Sequence, residues 1–206
     1  MKLDDLPSPN EFWARPNLRM TGDSDADSIY LAVGKSLSTW ESLEQLFAHL
    51  YGIFIGTESA AALRAFGCIT SAGGRRDAIR ESGAVFFFEK AISKDISGKL
   101  QKLLDHFGNA AGKRNDIGHG IVGRLPQQYK ADGFFLMPPE YVSNRNKFLV
   151  TVQADELINI RPELLHHVYR YISADIYEFE RKVKILYEVT LDYGNAVAHE
   201  IRHTKV

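Results

Sequence analysis

The sequence predicts a mainly α protein, an up-and-down helical bundle with a small β-meander inserted before a long C-terminal helix. Three observations point there. Apolar residues recur at steps of three and four over most of the chain, the interval 121–152 changes to short apolar runs broken by Pro, Gly and Asn, and a helical period then returns and continues almost to the C-terminus. A chain of 206 residues is long enough to bury one sizeable core. We therefore expect a single helical domain over 27–198, with an extended arm over 1–26 before it and a tail over 199–206 after it.

The arm is read from its punctuation: residues 1–25 carry three of the seven prolines and end in the polar run TGDSDADS, which suits an extended segment leading to a helix cap. From Ile29, the residues Val33, Leu37, Trp40, Leu43, Phe47, Leu50 and Phe54 trace one face of a long first helix. TESAAALRAF supports a short second helix, with SAGG at 71–74 expected as the turn that ends it, and RRDAIRESGAVFFFEKAI reads as a third. Ile96, Leu100, Leu103, Leu104, Phe107 and Ala111 form a fourth stripe that runs into KRNDIGHG. GIVGRL, GFFLMPP and KFLVTVQ supply the meander. Pro162 is placed to open the last helix, along which Leu165, Val168, Ile172, Ile176, Phe179, Val183, Leu186, Tyr193 and Val197 keep the period, with a bend expected near Gly194.

Composition narrows the function classes. Lys and Arg number 25 against 26 Asp and Glu, so no strong overall field draws the molecule to nucleic acid. The charge is uneven, however. Residues 75–130 hold 11 basic and 6 acidic side chains, a local excess of five positive charges. Cys68 is the single cysteine, which excludes an internal disulfide framework and a multi-cysteine zinc site. The start, MKLDDLPSPNEF, lacks the basic-then-apolar order of a secretory signal, and AVFFF at 84–88 falls far short of the roughly 18 apolar residues of a membrane span. A cytoplasmic protein with no membrane partner and no cofactor is expected.

Two polar residues interrupt the apolar stripes. Arg114, fourteen positions after Leu100, lies only about 40° from it around an ideal helix, so it continues the stripe inward. Glu44 falls between the directions of Leu37 and Trp40 on the first helix. A carboxylate there needs a counter-charge, and a pair between Glu44 and Arg114 is expected. Such a pair serves architecture as readily as catalysis. His119 adds an imidazole, with an ordinary pKa of about 6.5, close to a cation that does not deprotonate. Arg114 and His119 would diverge by about 140° on a straight helix, but Gly118 and Gly120 flank the histidine and allow the helix to unwind there. Asn115 and His119, four apart, share a face.

Arg114, Asn115 and His119 in RNDIGHG resemble the signature of the HEPN superfamily, an arginine followed by a polar residue and, after a few more positions, a histidine. The surrounding WESLE and RNDIGHG segments are similar to those of uncharacterised bacterial HEPN-like proteins. The resemblance implies a helical bundle from residues 27–120 and 162–198 that forms homodimers with facing motifs. It also implies a metal-independent endoribonuclease that leaves 2′,3′-cyclic phosphate ends, in a toxin–antitoxin or antiviral setting with an antitoxin or regulatory protein as partner. In that reading His119 transfers protons, Arg114 stabilises the phosphorane charge, Asn115 orients the phosphate or imidazole, and Glu44 holds Arg114. Lys113, Arg75, Arg76 and Arg124 would guide the RNA backbone. Some HEPN members have lost activity, so a non-catalytic module that dimerises or binds RNA or protein is the alternative.

Other motifs are weaker. HEIRH at 199–203 has the H-E-x-x-H form of zinc hydrolases, but only three residues follow and Arg202 would sit beside the metal, so no metal site is expected. Asp23, Asp25 and Asp27 imitate the start of a calcium loop yet suit helix capping better. His166 and His167 point about 100° apart on a helix, and Cys68 is expected as a buried thiol. No phosphate-binding glycine loop is evident, since SAGG lacks the strand context.

Overall fold

Helix caps and apolar faces account for the elements of the computed structural model, which describes residues 2–57, 59–125, 131–139 and 169–203. After a 3-10 turn at Leu3–Asp5 come α1 (Pro9–Phe12), α2 (Ala26–Phe54), α3 (Ala60–Gly67), α4 (Ala72–Glu89) and α5 (Lys94–Gly118). The short strands β1 (Ile121–Arg124) and β2 (Phe134–Met137) follow, and then α6 (Ser173–His203). The protein is thus mainly helical, with a small antiparallel sheet before a long C-terminal helix. The stretch KFLVTVQ and the residues Leu165 and Val168, assigned above to strand and helix, lie outside the described residues.

By compactness the chain falls into two bodies. The first comprises Met1–Ala14, Leu37–Lys113 and Phe179–Val206. Its core is aromatic: Trp40 stacks on Phe107 at 5.3 Å, and Phe47 meets the same ring at 4.3 Å. Gly83 lets α4 approach closely, because a Cβ there would stand 2.7 Å from Leu100 Cδ2 and 3.2 Å from Phe54 Cε2. The expected extended arm is instead folded in its first half. Ser8 caps α1 by accepting from the Glu11 amide, Pro9 occupies the first helical position, and Leu3, Leu6, Phe12 and Trp13 are buried. Four apolar side chains within eleven residues favour burial over the solvation that proline spacing suggests.

SAGG begins a helix rather than ending one. Ser71 is the N-cap of α4, its Oγ accepting from the Gly74 amide at 3.0 Å. A serine before a helix and a serine in a turn present the same local signal. The expected tail also differs: α6 runs unbroken through Gly194 to His203, and Glu200 accepts from the amide and Oγ of Ser93 at 3.0 and 3.3 Å.

The second body comprises Arg15–Ser36 and Arg114–Glu178. β1 pairs antiparallel with β2 in the register Ile121 with Met137 to Arg124 with Phe134. On its other edge β2 is bridged by Asp23 at Phe134 and by Tyr171 at Leu136. The close approach of residues 22 and 133 requires glycine at both: a Cβ on Gly22 would collide with the Phe134 carbonyl, and Gly133 has φ of +94°. Phe135, Met137 and Leu125 pack together with Ala131 and Ile172. The last helix, α6, begins at Ser173, and the opening expected at Pro162 lies outside the described residues. Tyr171 exchanges backbone hydrogen bonds with Leu136 at 2.8 and 3.0 Å, and the Ser173 amide donates to Asp23 at 2.6 Å.

Candidate active site

The end of α5 carries Arg114, Asn115 and His119, and its local geometry is fixed by a residue between them. Asp116 accepts two hydrogen bonds from Arg15, Nε to Oδ2 and Nη2 to Oδ1, both at 2.9 Å. The Tyr171 hydroxyl donates to the same Oδ2 at 3.0 Å, and the Tyr169 hydroxyl donates to the Asp116 carbonyl at 3.0 Å. This last bond satisfies one of the carbonyls that a helix end leaves without an internal partner. The two tyrosine rings stack at 4.8 Å, and the Arg15 guanidinium lies 5.4 Å above the Tyr169 ring. Bidentate charge-assisted pairing with stacking makes a rigid clamp.

Electrostatics follow from the burial of this cluster. Burial pushes both phenols well above the ordinary tyrosine value, and the neighbouring Asp116 adds to the effect. Neither tyrosine is therefore a base or nucleophile near neutrality. Burial works against the Arg15 charge, but the hydrogen bonds and attraction of Asp116 hold its pKa above the ordinary value.

The helix does not unwind before the histidine. α5 extends through Gly118, and the His119 amide still donates to the Asn115 carbonyl at 3.1 Å. Arg114 and His119 thus leave the helix about 140° apart, while Asn115 and His119 share a face. Asn115 and His119 are exposed, and Arg114 is half-buried. The glycine at 120 answers a different need from the one assigned above: a Cβ there would stand 2.6 Å from Leu136 Cγ, so β2 requires its absence.

Glu44 is a correction. Its Oε2 meets Arg75 Nη1 at 2.5 Å, and Arg75 Nε also donates to the Ile69 carbonyl at 2.8 Å. Both residues belong to the first body, whereas Arg114 belongs to the second. Helix periodicity sets the direction of the Glu44 carboxylate but does not choose between arginines on different helices. Of the other basic candidates, Arg124 is exposed with its guanidinium 4.4 Å above the Phe134 ring, and Lys113 is half-buried. Arg76 lies against Gly108 of α5.

Arg15, Asp116, Tyr169 and Tyr171 escaped the sequence reading. Two signals were present. Asp116 stands inside the motif itself, and Y-R-Y-I alternates with the period of an extended segment, not of a helix. Elsewhere, Asp25 accepts from the Ser28 amide at 2.8 Å at the start of α2, and Asp23 caps α6. Both aspartates act as helix caps. Cys68 is exposed, contrary to expectation, because it terminates the short α3. Among the described residues no group of three His, Cys, Asp or Glu side chains is arranged to hold a metal, and no helix is long and apolar enough to cross a membrane. His166 and His167 lie outside the described residues. Comparison with protein-family models, with characterised proteins and with solved structures gives no match for this chain.

Proposed function

We propose that the protein is a metal-independent endoribonuclease whose working groups are Arg114, Asn115 and His119. The observation that carries this reading is the clamped end of α5, where an exposed imidazole and amide share one face beside a half-buried arginine on the same last turns. An enzyme gains rate by holding such groups in place before substrate arrives, and the Asp116 clamp supplies that rigidity. His119 takes the proton of a ribose 2′-hydroxyl as its oxygen attacks the adjacent phosphorus. The bond from phosphorus to the 5′-oxygen breaks, that oxygen receives a proton, and the products are a 2′,3′-cyclic phosphate and a 5′-hydroxyl. Arg114 stabilises the charge that develops on the phosphorane, and Asn115 orients a phosphate oxygen. General acid–base catalysis contributes about 10² to 10⁴ in rate. A homodimer with facing motifs makes two imidazoles available, one to accept a proton and one to donate. Lys113 and Arg124 guide the RNA backbone.

One observation favours a second reading, a non-catalytic module that binds RNA or a partner protein. The regular helix keeps Arg114 and His119 on different faces, so a single motif does not aim both at one phosphate. The two readings separate when total RNA in EDTA is incubated with wild type and with Arg114→Ala, His119→Ala protein. Cleavage by the wild type alone, leaving cyclic phosphate ends, supports the enzyme. Equal cleavage by both refutes the assigned residues, and intact RNA in both supports the module.

A further inference from the structure

Arg75 and Arg76 are neighbours on α4 in opposite situations. Arg75 has Glu44 and the Ile69 carbonyl as partners. Arg76 is half-buried, its Nε is enclosed without a hydrogen-bond partner, and no carboxylate among the described residues pairs with it. The acidic side chains nearest in sequence on the two helices are engaged elsewhere: Asp77 pairs with Arg80 at 3.0 Å, and Asp105 accepts from Gln101 Nε2 at 2.8 Å. The exposed part of the side chain stays hydrated, and an arriving oxyanion would supply both a counter-charge and an acceptor for the enclosed Nε.

Its seat is specific. A Cβ at position 108 would lie 2.8 Å from Arg76 Nη1 and 3.7 Å from its Cδ, so the guanidinium rests against the α5 backbone and an added methyl would displace it from that place. Glycine inside a helix weakens it relative to alanine. The weakening residue therefore stands where it admits the arginine. Solvent still reaches part of the side chain, and the planar fork of a guanidinium matches two oxygens of a phosphate.

We propose that Arg76, seated on Gly108, is an oxyanion subsite that binds a backbone phosphate of RNA. The identity of the ligand as RNA rests on the ribonuclease reading, whereas the oxyanion subsite does not. An arginine seated this way discriminates phosphate from sugar and base without reading sequence, so it contributes affinity that is uniform across RNA sequences and sensitive to salt.

The test uses the full chain and a fluorescent RNA oligonucleotide with 2′-O-methyl riboses, which cannot be cleaved by 2′-hydroxyl attack. Anisotropy is followed against salt for wild type, Arg76→Gln and Gly108→Ala. Each variant is expected to bind about tenfold more weakly, the loss of one charge-assisted contact. The slope of log affinity against log salt should fall by about 0.7, the value for one single-strand phosphate. Gly108→Ala keeps every charge but crowds the seat, and its melting temperature is measured alongside so that weaker binding is separated from a folding defect. A parallel titration with inorganic phosphate follows the Arg76 Nε–Hε resonance. If the wild type binds RNA and both variants bind equally well, the subsite is overturned while the ribonuclease reading stands. If the wild type ignores RNA but phosphate moves the Arg76 resonance, and fails to do so in Gly108→Ala, the oxyanion subsite survives and RNA as its ligand is overturned. Absence of both responses overturns the proposal entirely.

Discussion

Two residues of the N-terminal segment, separated by a single position, each bind α5, and they do so by contrasting chemistry. In the first body Trp13 is 2% exposed and its indole Nε1 donates to His106 Nδ1 at 3.3 Å. In the second Arg15, whose side chain is 39% exposed, grips Asp116. The first anchor is neutral, aromatic and enclosed, with Phe12 edge-on to the imidazole at 5.8 Å and Trp13 tilted against Phe179 at 5.9 Å. The second is ionic and partly wet. Their contrast teaches that burial, more than charge, sets how much an anchor contributes, because solvent screens an exposed ion pair and leaves an enclosed indole undiminished.

Four outcomes break or sharpen that contrast, from the largest effect to the smallest. Trp13→Ala removes a buried aromatic side chain and should cost about 3–5 kcal/mol in a urea unfolding experiment. Asp116→Ala should cost less, about 2 kcal/mol, most of it from the buried Tyr171 hydroxyl left without its acceptor and little from the screened Arg15 charge. A loss for Asp116→Ala equal to that of Trp13→Ala would reverse the ranking. Tyr171→Phe deletes one hydroxyl while keeping the stack on Tyr169, and about 1 kcal/mol is expected.

The last outcome concerns pH. Accepting from Trp13 requires an unprotonated Nδ1 on His106, and burial, aided by the Lys102 charge and opposed by Asp105, lowers its pKa below the ordinary histidine value. The unfolded chain then binds more protons than the folded one between the folded pKa and about 6.5. Stability from this residue is full above that upper limit and declines as the pH falls below it, by at most about 1.4 kcal/mol per pH unit. The difference in unfolding free energy between wild type and His106→Phe, measured at pH 7.5 and pH 5.5, should shrink toward the acid side. A difference independent of pH would contradict the neutral anchor.

What the sequence disclosed divides along the same lines of physics. The α2 stripe was legible because burial enforces a period: Ile29, Trp40, Leu43, Phe47, Leu50 and Phe54 are all buried. The α5 stripe was legible down to Ala111, and Arg114 continues it as a half-buried residue. The start of α6 was not, since Ile172 and Ile176 keep helical spacing across a stretch that pairs with β2, and spacing does not register a distant strand edge. The partner of Glu44 was equally hidden. Helix geometry fixes the direction in which a carboxylate points, but the choice of Arg75 depends on which helix packs there. His106 went unnoticed because it lies among the apolar positions of α5, where only its indole partner, 93 positions away, marks it as a special residue.

The ribonuclease assignment of Arg114 and His119 is tested most directly by phosphorus NMR of a homopolymer RNA incubated in EDTA with wild type, Arg114→Ala and His119→Ala protein, each shown to fold. The account predicts a 2′,3′-cyclic phosphate resonance that grows with the wild type and is absent from both variants. The same resonance in all three samples, or products ending in 5′-phosphates, would contradict it.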